Sequence, residues 1–594
     1  MMKLRSLEDG LSIGVLALMT AVPIMEVVGR ETFGRGVTGS IPLVQHLTFL
    51  ITFLGAALAT RSRQLISMAT PALLPGGIQE AVRVFTSAIG AGICIWLAYA
   101  SLEVVRIHRD AALQIAWGIP VWVVVAFMPV ALAVIAMRLV WTASLRLPGR
   151  LVTLAVLVLL LQAGLVWGTE ITSLQIPLLI LLAGATALGL PIFAALGGAA
   201  LVLFWSSGMP ASVVALDIYD VSASELLPAL PLFSLTGYLM AEGQAGKRLM
   251  RMFNAIVGWA PGGMAIVITL VLAFFTTLGS GVTILSMGGL ILPLMVKAGY
   301  SEKSSIGLVT VGGSTGLLFP PSLPVILYGI QAGTRVDLLF LGGLIPGILL
   351  VGVVAAWGAV RGHQAGAPRQ PFVLREAVAA TWSAKWDLLT PIIVLIGFFG
   401  GRVLIVEAAA ISVVYVLFVE FAVFRELKLS TDISRIVVEC STMVGGFLII
   451  LGVALGFLDY LNSAEIPPMI VDWVRTHVSS PLVFLLVLNV LLVIVGAISD
   501  IYSAILVIVP LIVPIAKHYD IDPVHLGVIF LTNMELGYLM PPMGENLFLS
   551  SIRFKKKLSW IYVSTMPYLI LIIAVVLLVT YVPELTLAPV RWFR

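Results

Sequence analysis

The sequence predicts an all-α integral membrane protein in which many helices cross the bilayer. Of its 594 residues, 60% are hydrophobic and only 11% are charged, and the mean hydropathy is +1.10. A soluble domain of this length could not bury so much apolar surface. Many apolar runs reach about 20 residues, the length that a helix needs to cross a bilayer. We therefore expect a helical bundle with about 15 to 16 transmembrane helices, because a membrane β-barrel would show short alternating segments instead.

Charge, cysteine content and motifs exclude several other classes of protein. The net charge of +4 is small and spread over loops, so nothing indicates nucleic-acid binding. The two cysteines and six histidines have no spacing typical of a disulfide framework or a metal site. The sequence contains no nucleophile motif and no phosphate-binding loop. It therefore predicts no catalytic residue, no organic cofactor and no ATP hydrolysis by this chain.

The first part of the chain, residues 1–147, is predicted to be a small four-helix membrane subunit. Its basic residues cluster before the first span, after the second and after the fourth, which places both ends of this part in the cytoplasm. No small-residue cleavage site follows the charged N-terminus, so the first span is expected to be retained. The four spans lie near residues 11–29, 41–60, 84–105 and 118–141.

A fifth apolar run, Leu151–Trp167, predicts a connecting transmembrane helix over residues 148–172. From residue 173 the runs become richer in Gly and Pro, which indicates a larger part with a different architecture. One run, from Ile176 to Trp205, is long enough for one tilted span or two short ones, and the sequence leaves both alternatives open.

The larger part contains an internal repeat with an offset of 221 residues (514 − 293 = 221). At this offset a proline, a glycine and a Pro–Pro pair recur without a gap. These residues fix backbone geometry, so the match goes beyond shared apolar composition; a chance alignment of two apolar stretches is the alternative. The matched positions are Pro293 with Pro514, Gly316 with Gly537, and Pro320–Pro321 with Pro541–Pro542.

Charge indicates that the two copies have opposite orientations in the membrane. The loop before the matched region carries Lys247, Arg248 and Arg251 in the first copy and acidic residues in the second. After the Pro–Pro pair the bias reverses, and the second copy carries the basic cluster between Arg553 and Lys557. Under the positive-inside rule the copies are inverted, which is the usual architecture of secondary transporters.

These observations divide the larger part into three segments. Residues 173–360 form the first repeat with a re-entrant helical hairpin at 265–296, and residues 388–594 form the second with a hairpin at 482–515. Residues 361–387, with four basic side chains, are predicted to be a cytoplasmic amphipathic connector.

Matched interruptions of helices are the best pointer in such sequences to a binding site. Each half has a hairpin whose tip is broken, at 279–281 and at 498–500, and a further helix broken at 312–322 or at 533–543. Gly permits unwound backbone and Pro cannot donate, so backbone carbonyls are left free for an ion. Ordinary kinked helices, with Ser and Thr bonded to their own backbone, are the alternative.

Oxygen-bearing side chains and unwound backbone at these four breaks predict sites for a hard cation. Two acids belong to the set because intramembrane acids are usually functional. Glu535 could instead pair with the backbone of its own helix or face a water-filled vestibule. The candidate cation-binding residues are Gly279, Ser280, Thr283, Gly312, Ser314, Thr315, Gly316, Ser499, Asp500, Ser503, Asn533, Glu535 and Gly537.

At these segments the chain resembles the fused membrane subunits of the tripartite ATP-independent periplasmic (TRAP) transporters, over nearly its whole length. Gly313–Gly329 (GSTGLLFPPSLPVILYG) and Ile521–Phe548 (IDPVHLGVIFLTNMELGYLMPPMGENLF) resemble the two signatures of the large subunit. Two segments resemble the start of the large subunit and two resemble weaker patterns of the small subunit. They are Leu188–Phe204, Leu230–Gly243, Val27–Gly34 and Gly55–Met68.

The small part departs from the family pattern at two places. Residues 42–46 (PLVQH) stand where paired acids often occur, and Leu65 stands where a histidine is common. These departures concern how the small part contacts its partners and leave the resemblance of the large part unchanged.

The resemblance implies a sodium-driven importer of organic acids in a bacterial inner membrane, with two or more sodium ions as coupling ions. A separate periplasmic binding protein would deliver the substrate, and the large part would move as an elevator against the small part. One sodium site would lie between the first hairpin tip and the 312–316 break, and the other between the second tip and the 533–537 break. The substrate would lie between the tips, near Ser280, Gly281, Asp500, Pro320 and Pro541.

Two alternative functions remain open on the sequence. A symporter of the same superfamily would need no binding protein, and the fused small part argues against it. An intramembrane enzyme or a channel is the alternative from another class. The enzyme would need a catalytic dyad or a metal set, and a channel would not need inverted hairpins. Beyond membrane lipid, the binding protein and a small organic acid, no nucleic acid and no ATPase subunit is implied.

Overall fold

A computed structural model describes residues 2–67, 76–144, 146–166, 171–277, 280–400, 403–428, 432–478, 480–498, 501–541 and 544–592. These residues form 26 α-helices, numbered α1 to α26 in chain order, and one short π-helix at Val419–Val423. The described chain contains no β-strand beyond two isolated bridges. The predicted all-α fold is therefore confirmed.

Eight helices of the described chain are long and apolar enough to cross a bilayer. Eight further helices contain apolar stretches of 10–17 described residues, which are short for a crossing by one helix alone. The total of about 15 to 16 crossings stays a prediction, because it depends on how these short helices combine. The eight long helices cover Ser6–Phe33, Ser40–Ser62, Ile78–Asp110, Val121–Ala143, Val336–Gln364, Ile405–Val423, Asp432–Ser463 and Leu558–Tyr581.

The helices separate into two compact units, each built from two stretches of chain. Unit 1 comprises Met1–Leu232 with Ser434–Pro467, and unit 2 comprises Phe233–Ile433 with Pro468–Arg594. The predicted domain boundaries at residues 147, 172, 360 and 387 were drawn on charge and composition, and they stay predictions.

Unit 1 contains helices at all four spans predicted for the small part. The run from Ile176 to Trp205 forms two helices, because Gly189 adopts a left-handed conformation (φ +94°) between them. The helices of unit 1 are α1 (Met2–Phe33), α2 (Ser40–Ser62), α3 (Gly76–Asp110), α4 (Val121–Val125), α5 (Phe127–Ala143), α6 (Leu147–Val166), α7 (Ile171–Ala187), α8 (Ile192–Ser206), α9 (Ser212–Ser222) and α19 (Asp432–Ser463).

Helix α19 packs against the small part inside unit 1 through a close approach of two backbones. Gly55 of α2 faces Gly445 of α19, and a Cβ atom on either glycine would overlap the backbone of the other. Small residues allow membrane helices to approach in this way, and the gain comes from close van der Waals packing. A helix that follows the middle of the sequence thus belongs to the same packed body as the N-terminal helices.

Charged side chains gather where α1 begins and where α2 and α5 end. The guanidinium of Arg61 is 3.1 Å from Glu8 Oε2 and 2.7 Å from Asp9 Oδ1. Arg138 also pairs with Glu8. The start of α1 therefore lies beside the ends of α2 and α5, as antiparallel neighbours require.

Unit 2 contains the segments of both predicted repeats, and α10 (Ala229–Glu242) crosses into it from unit 1. Its remaining helices are α11 (Ala245–Val257), α12 (Gly263–Thr276), α13 (Ser280–Lys297), α14 (Glu302–Gly312), α15 (Leu323–Ala332), α16 (Val336–Gln364), α17 (Leu374–Phe399), α18 (Ile405–Phe418), α20 (Ile466–His477), α21 (Pro481–Ile498), α22 (Ile501–His518), α23 (Pro523–Gly537), α24 (Glu545–Phe554), α25 (Leu558–Tyr581) and α26 (Glu584–Trp592).

The predicted connector at residues 361–387 is not a separate helix. Residues 361–364 complete α16, a stretch without helix follows, and the rest of the segment is the beginning of α17. Charge and composition do not show where α17 begins, because this helix continues without a break from an amphipathic start into an apolar run. Exposed apolar side chains at Leu374, Val378 and Trp382 follow one another at four-residue spacing along that start.

Candidate functional site

Two pairs of helices stand where the sequence predicted hairpins. Helices α12 and α13 pack against each other, and so do α21 and α22. In each pair a tyrosine after the second helix donates to a backbone carbonyl just before the first. Tyr300 Oη is 2.9 Å from Gly262 O, and Tyr519 Oη is 2.6 Å from Val478 O. In each pair, a hydrogen bond therefore joins the end of the second helix to the start of the first helix.

The first helix of the first pair is shorter than a complete crossing, whereas its second helix, α13, has 18 residues. Helix α12 has 14 residues, which at 1.5 Å per residue span about 21 Å against about 30 Å of hydrocarbon. Helices α21 and α22 have 18 residues each, or about 27 Å. These lengths are compatible with a re-entrant hairpin in the first half, and re-entry of both pairs stays a prediction.

Both predicted helix breaks are present in unit 2. Helix α14 ends at Gly312 and α15 begins at Leu323, whereas α23 ends at Gly537 and α24 begins at Glu545. Matched turns follow, since the Phe319 N–H donates to Gly316 O and the Met540 N–H donates to Gly537 O, each at 3.0 Å. Residues 313–318 of the first break are fully buried.

Each break lies against the last turn of a hairpin's first helix. A Cβ atom on Gly316 would overlap the carbonyl of Ala273 in α12, and one on Gly537 would overlap Gly496 in α21. The hydroxyl of Thr276, the last residue of α12, donates to Gly312 O at 3.1 Å. The structure therefore brings each break beside the helix that leads to the hairpin tip.

Helices from the two halves also pack on one another reciprocally. Helix α24, after the second break, packs on α13 and α14 of the first half. Helix α15, after the first break, packs on α22 and α23 of the second half. The two breaks are thus parts of one interleaved assembly in unit 2.

The described candidate residues are nearly all buried, and the tips lie outside the described residues. Thr283, Gly312, Ser314, Thr315, Gly316, Asn533, Glu535 and Gly537 are buried, Pro320 is half-buried and Pro541 is exposed. Gly279, Ser499 and Asp500 lie outside the described residues, as do the side-chain positions of Ser280, Gly281 and Ser503.

The hydroxyls at the first break are held by their own helix. Ser314 Oγ donates to Val311 O at 3.2 Å, and Thr315 Oγ1 donates to Gly312 O at 3.1 Å. This is the bonding that a kinked helix would also show. Each hydroxyl oxygen nevertheless retains lone pairs that can accept or bind a cation.

Asn533 lies inside α23, not at the point of unwinding where the sequence analysis placed it. The helix continues for four more residues, to Gly537. The Asn533 Nδ2 donates to Asn489 Oδ1 at 2.6 Å and to Ile529 O at 2.8 Å. Its Oδ1 is buried and has no hydrogen-bond partner within the described residues, so one oxygen remains for a ligand.

The sequence analysis missed the partners of Asn533. Asn489 is a buried amide in α21, and its Oδ1 also accepts a hydrogen bond from Thr580 of α25 at 3.1 Å. The available signal was a single amide in the otherwise apolar run of the second hairpin. A polar side chain inside such a run needs a partner, which here is supplied by neighbouring helices.

Glu535 is fully buried in α23, and neither carboxyl oxygen has a partner in the part of the chain that the structure describes. The described residues therefore show no hydrogen bond between Glu535 and the backbone of its own helix. A buried carboxylate without a donor is costly, so the group must be neutral or meet a cation. At the repeat offset, Glu535 corresponds to Ser314 (535 − 314 = 221).

The Pro–Pro pair of the first half borders an apolar pocket. All of its described lining residues are apolar. Pro320 therefore presents ring carbons to this pocket and no polar group. The lining residues are Phe233, Pro320, Pro321, Ile326, Phe340, Val394, Leu395 and Ile405.

Two family models match successive parts of the chain. Residues 179–585 match the model of the "Tripartite ATP-independent periplasmic transporter, DctM component". Residues 19–149 match that of the "Tripartite ATP-independent periplasmic transporters, DctQ component". One chain therefore contains both a large and a small component.

Curated relatives match either the large part alone or a longer stretch of the chain. The large permease DctM of a C4-dicarboxylate TRAP transporter from Pseudomonas aeruginosa is 34% identical over 400 residues, which cover 67% of this chain and 93% of that protein. The isethionate TRAP permease DctMQ from Oleidesulfovibrio alaskensis is 32% identical over 504 residues, which cover 82% of this chain and 78% of that protein.

Two further similarities concern a sugar-acid permease and a solved structure. The large permease YiaN of a 2,3-diketo-L-gulonate TRAP transporter from Escherichia coli is 29% identical over 70% of this chain and 98% of its own length. The YdaH transporter of Alcanivorax borkumensis aligns with a TM-score of 0.47 and 16% identity, over 69% of this chain and 98% of that one.

Proposed function

The chain belongs to the TRAP transporters, as a fused DctQ-type and DctM-type permease, and from this premise we propose that it is a sodium-coupled importer of a small organic acid. Its membership makes it a multi-pass secondary transporter of organic acids and not an enzyme. Sodium coupling, the binding protein, the elevator-type movement and the bacterial inner membrane belong to the proposal.

The observation that carries sodium coupling is the matched pair of breaks beside the hairpin helices. A hard cation needs several oxygens at once, and unwound backbone with nearby hydroxyls or amides can supply them. The first break offers the hydroxyl oxygens of Ser314 and Thr315, and the second offers the Oδ1 of Asn533. Two separate sites support two or more coupling ions.

The substrate is a small organic anion. Three relatives are named for C4-dicarboxylate, isethionate and 2,3-diketo-L-gulonate, and all three compounds carry an acidic group. Helices α15 and α24 begin directly after the breaks, and the N-terminus of a helix favours an anion. Each break can therefore bind a cation, and the helix N-terminus that follows it can bind the acid that the cation accompanies.

The partner is a periplasmic binding protein, and the movement is of the elevator type. The family premise and the fused small component support the partner. Both break-and-hairpin sets lie within unit 2, whereas the described part of the small component lies within unit 1. This separation supports a mechanism in which one body carries the substrate and the other is anchored.

Uptake into proteoliposomes tests the proposal and its alternative. We expect labelled organic acid to accumulate when an inward sodium gradient and the cognate binding protein are both present. Choline in place of sodium should abolish accumulation. Full uptake without the binding protein would instead establish a binding-protein-independent symporter, and uptake that ignores the sodium gradient would contradict the proposed coupling.

A further inference from the structure

A buried carboxamide lies at the start of α24, directly after the second break. Asn546 is the second residue of this helix and is fully buried. Among the residues that the structure describes, neither its Oδ1 nor its Nδ2 has a hydrogen-bond partner. A buried amide that binds nothing opposes folding, whereas an apolar side chain of similar shape would not. The amide therefore points to a function outside folding.

Two contacts fix the position of Asn546 along α14. Lys556 Nζ is 2.8 Å from Glu302 Oε1, and the Thr310 hydroxyl donates to Ser550 Oγ at 2.8 Å. Helices α14 and α24 therefore run antiparallel. One helical turn from Ser550 back to Asn546 corresponds to one turn from Thr310 towards the first break. Since residues four apart share a helix face, this register places Asn546 just beyond the end of α14, at the level of that break.

The surroundings of this amide contain groups that suit a cation and groups that suit an anion. The first break supplies the hydroxyl and carbonyl oxygens that suit a cation. Helix α24 has ten residues, and the positive end of its dipole, at its first turn, favours an anion. A carboxamide has one acceptor oxygen and one donor NH₂, so it can satisfy both ligands simultaneously.

We propose that Asn546 bridges a sodium ion at the first break and the substrate anion. Its Oδ1 is a ligand of the ion, together with oxygens of Ser314 and Thr315. Its Nδ2 donates to an anionic oxygen of the substrate. This inference rests on the proposed sodium-coupled function and adds a residue from the second half to the site of the first half.

The other half has no equivalent amide. At the repeat offset, Asn546 corresponds to Val325 (546 − 325 = 221), a buried apolar residue of α15. The bridge therefore exists on one side of the assembly only. Its loss should weaken the binding of one sodium ion and of the substrate, and should leave the second sodium site intact.

Three variants of the full chain test the bridge. Asn546→Leu removes both polar atoms, and Asn546→Asp keeps oxygen ligands but removes the donor. Ser550→Ala, one turn away on the same face, controls for helix packing. For each variant we would measure Tm in sodium chloride and in choline chloride. We would also measure uptake of whichever acid the unmodified protein imports among succinate, isethionate and 2,3-diketo-L-gulonate.

We expect Asn546→Leu to keep or raise Tm in choline chloride while the sodium concentration for half-maximal uptake rises about tenfold, or about 1.4 kcal/mol. Asn546→Asp should keep its sodium-dependent rise in Tm and raise KM for the acid about tenfold. Ser550→Ala should change neither quantity.

Two results would overturn the bridge. One is a fall in Tm for Asn546→Leu in choline chloride with unchanged sodium dependence and KM, which would make the amide structural. The other is wild-type behaviour of both Asn546 variants in every measurement. Failure of sodium to affect Tm or uptake of the unmodified protein would refute the proposed coupling itself, which distinguishes the two failures.

Discussion

Hydroxyl groups at the first break are held in position before any ligand arrives. Ser314 and Thr315 each donate to a carbonyl three residues earlier, which fixes their oxygens while leaving lone pairs open. A preorganised oxygen loses less conformational freedom on binding than a mobile one. We infer that this turn of backbone positions the ligands of the first ion.

Removal of one such oxygen should weaken sodium binding more than folding. For Ser314→Ala we expect the sodium concentration for half-maximal uptake to rise about three- to tenfold, equivalent to about 0.7 to 1.4 kcal/mol. Ser305→Ala is the matched control, because this buried hydroxyl of α14 bonds to Ser301 O away from the break. Unchanged sodium dependence in a normally inserted Ser314→Ala protein would identify the break as a structural kink.

Asp217 on α9 gives unit 1 a pH-dependent stability. Burial, followed by the nearby carboxylates of Asp459 and Asp220, raises the pKa of Asp217 to about 7. The unfolded chain releases this proton near pH 4, whereas the folded protein keeps it until about pH 7. The free energy of unfolding should therefore fall as pH rises through that window and level off above it.

Asp217→Asn should remove part of this pH dependence. We expect its Tm to fall less than that of the unmodified protein between about pH 5 and pH 8, and to be higher at the upper end. Glu225→Gln, at an exposed carboxyl two turns along the chain, should keep the original pH profile. Identical profiles for Asp217→Asn and the unmodified protein would contradict the assignment.

The sequence allowed candidate residues of the proposed site to be selected, but not their partners. Ser314 and Thr315 could be selected because they interrupt an apolar pattern next to glycines. Asn489 and Asn546 could not, because the functional significance of a buried amide depends on whether a neighbouring helix satisfies it. Asn489 has its partners and Asn546 has none in the described chain, and only the packing of helices distinguishes them.

At the scale of elements, the two breaks end their helices for different physical reasons. Proline cannot donate to the carbonyl four residues earlier and clashes with it. Pro541 therefore stops α23 at Gly537, its last helical residue. In the first half, α14 already ends at Gly312, because the Gly–Gly–Ser–Thr sequence at 312–315 is a poorer helix former than the matched Asn–Met–Glu–Leu. The alignment of the two copies at an offset of 221 residues located both breaks. It did not show that α14 ends four residues earlier, relative to its Pro–Pro pair, than α23 does.

A largely buried arginine anchors the amphipathic helix α11 in unit 2. All three guanidinium nitrogens of Arg248 donate to carboxylates, namely those of Asp387 on α17, Glu420 in the π-helix and Glu426 beyond it. Burial alone would raise the pKa of Glu426, but its hydrogen bonds with Arg248 and the Gln244 N–H hold it below the ordinary value. The guanidinium thus joins three segments of chain.

Loss of this anchor should destabilise unit 2 strongly. Arg248→Met leaves three largely buried carboxylates without their cation, and we expect it to lower the free energy of unfolding by about 3 kcal/mol or more. Asp387→Asn in the same protein should recover part of the loss. Arg251→Met, which removes an exposed ion pair with Glu376, should lower the free energy of unfolding far less. Equal Tm values for the two arginine variants would contradict this account.

At the scale of the whole molecule, charge predicts that the two hairpins open to opposite faces of the membrane. The positive-inside rule places the open end of the first hairpin in the cytoplasm and that of the second in the periplasm. Neither contacts nor helix lengths determine this orientation, because no bilayer is part of the fold. It must therefore be measured in cells.

Labelling of single cysteines at the open ends of the hairpins can measure this orientation. Lys303→Cys and His518→Cys place exposed thiols beside the first and second hairpins, and the native Cys94 and Cys440 are buried. An impermeant maleimide should label His518→Cys in intact spheroplasts and Lys303→Cys only after permeabilisation. Equal labelling of both thiols from one side would refute the inverted repeat.

Coupled flux in proteoliposomes tests the central claim most directly. Radioactive sodium influx and labelled organic-acid influx would be measured together, with the binding protein present and with sodium-only and acid-only controls. We expect the acid to draw in at least two sodium ions for each molecule imported, and each flux to fall to background without the other solute. Accumulation of the acid with no accompanying sodium influx would contradict the proposal that this permease is driven by sodium.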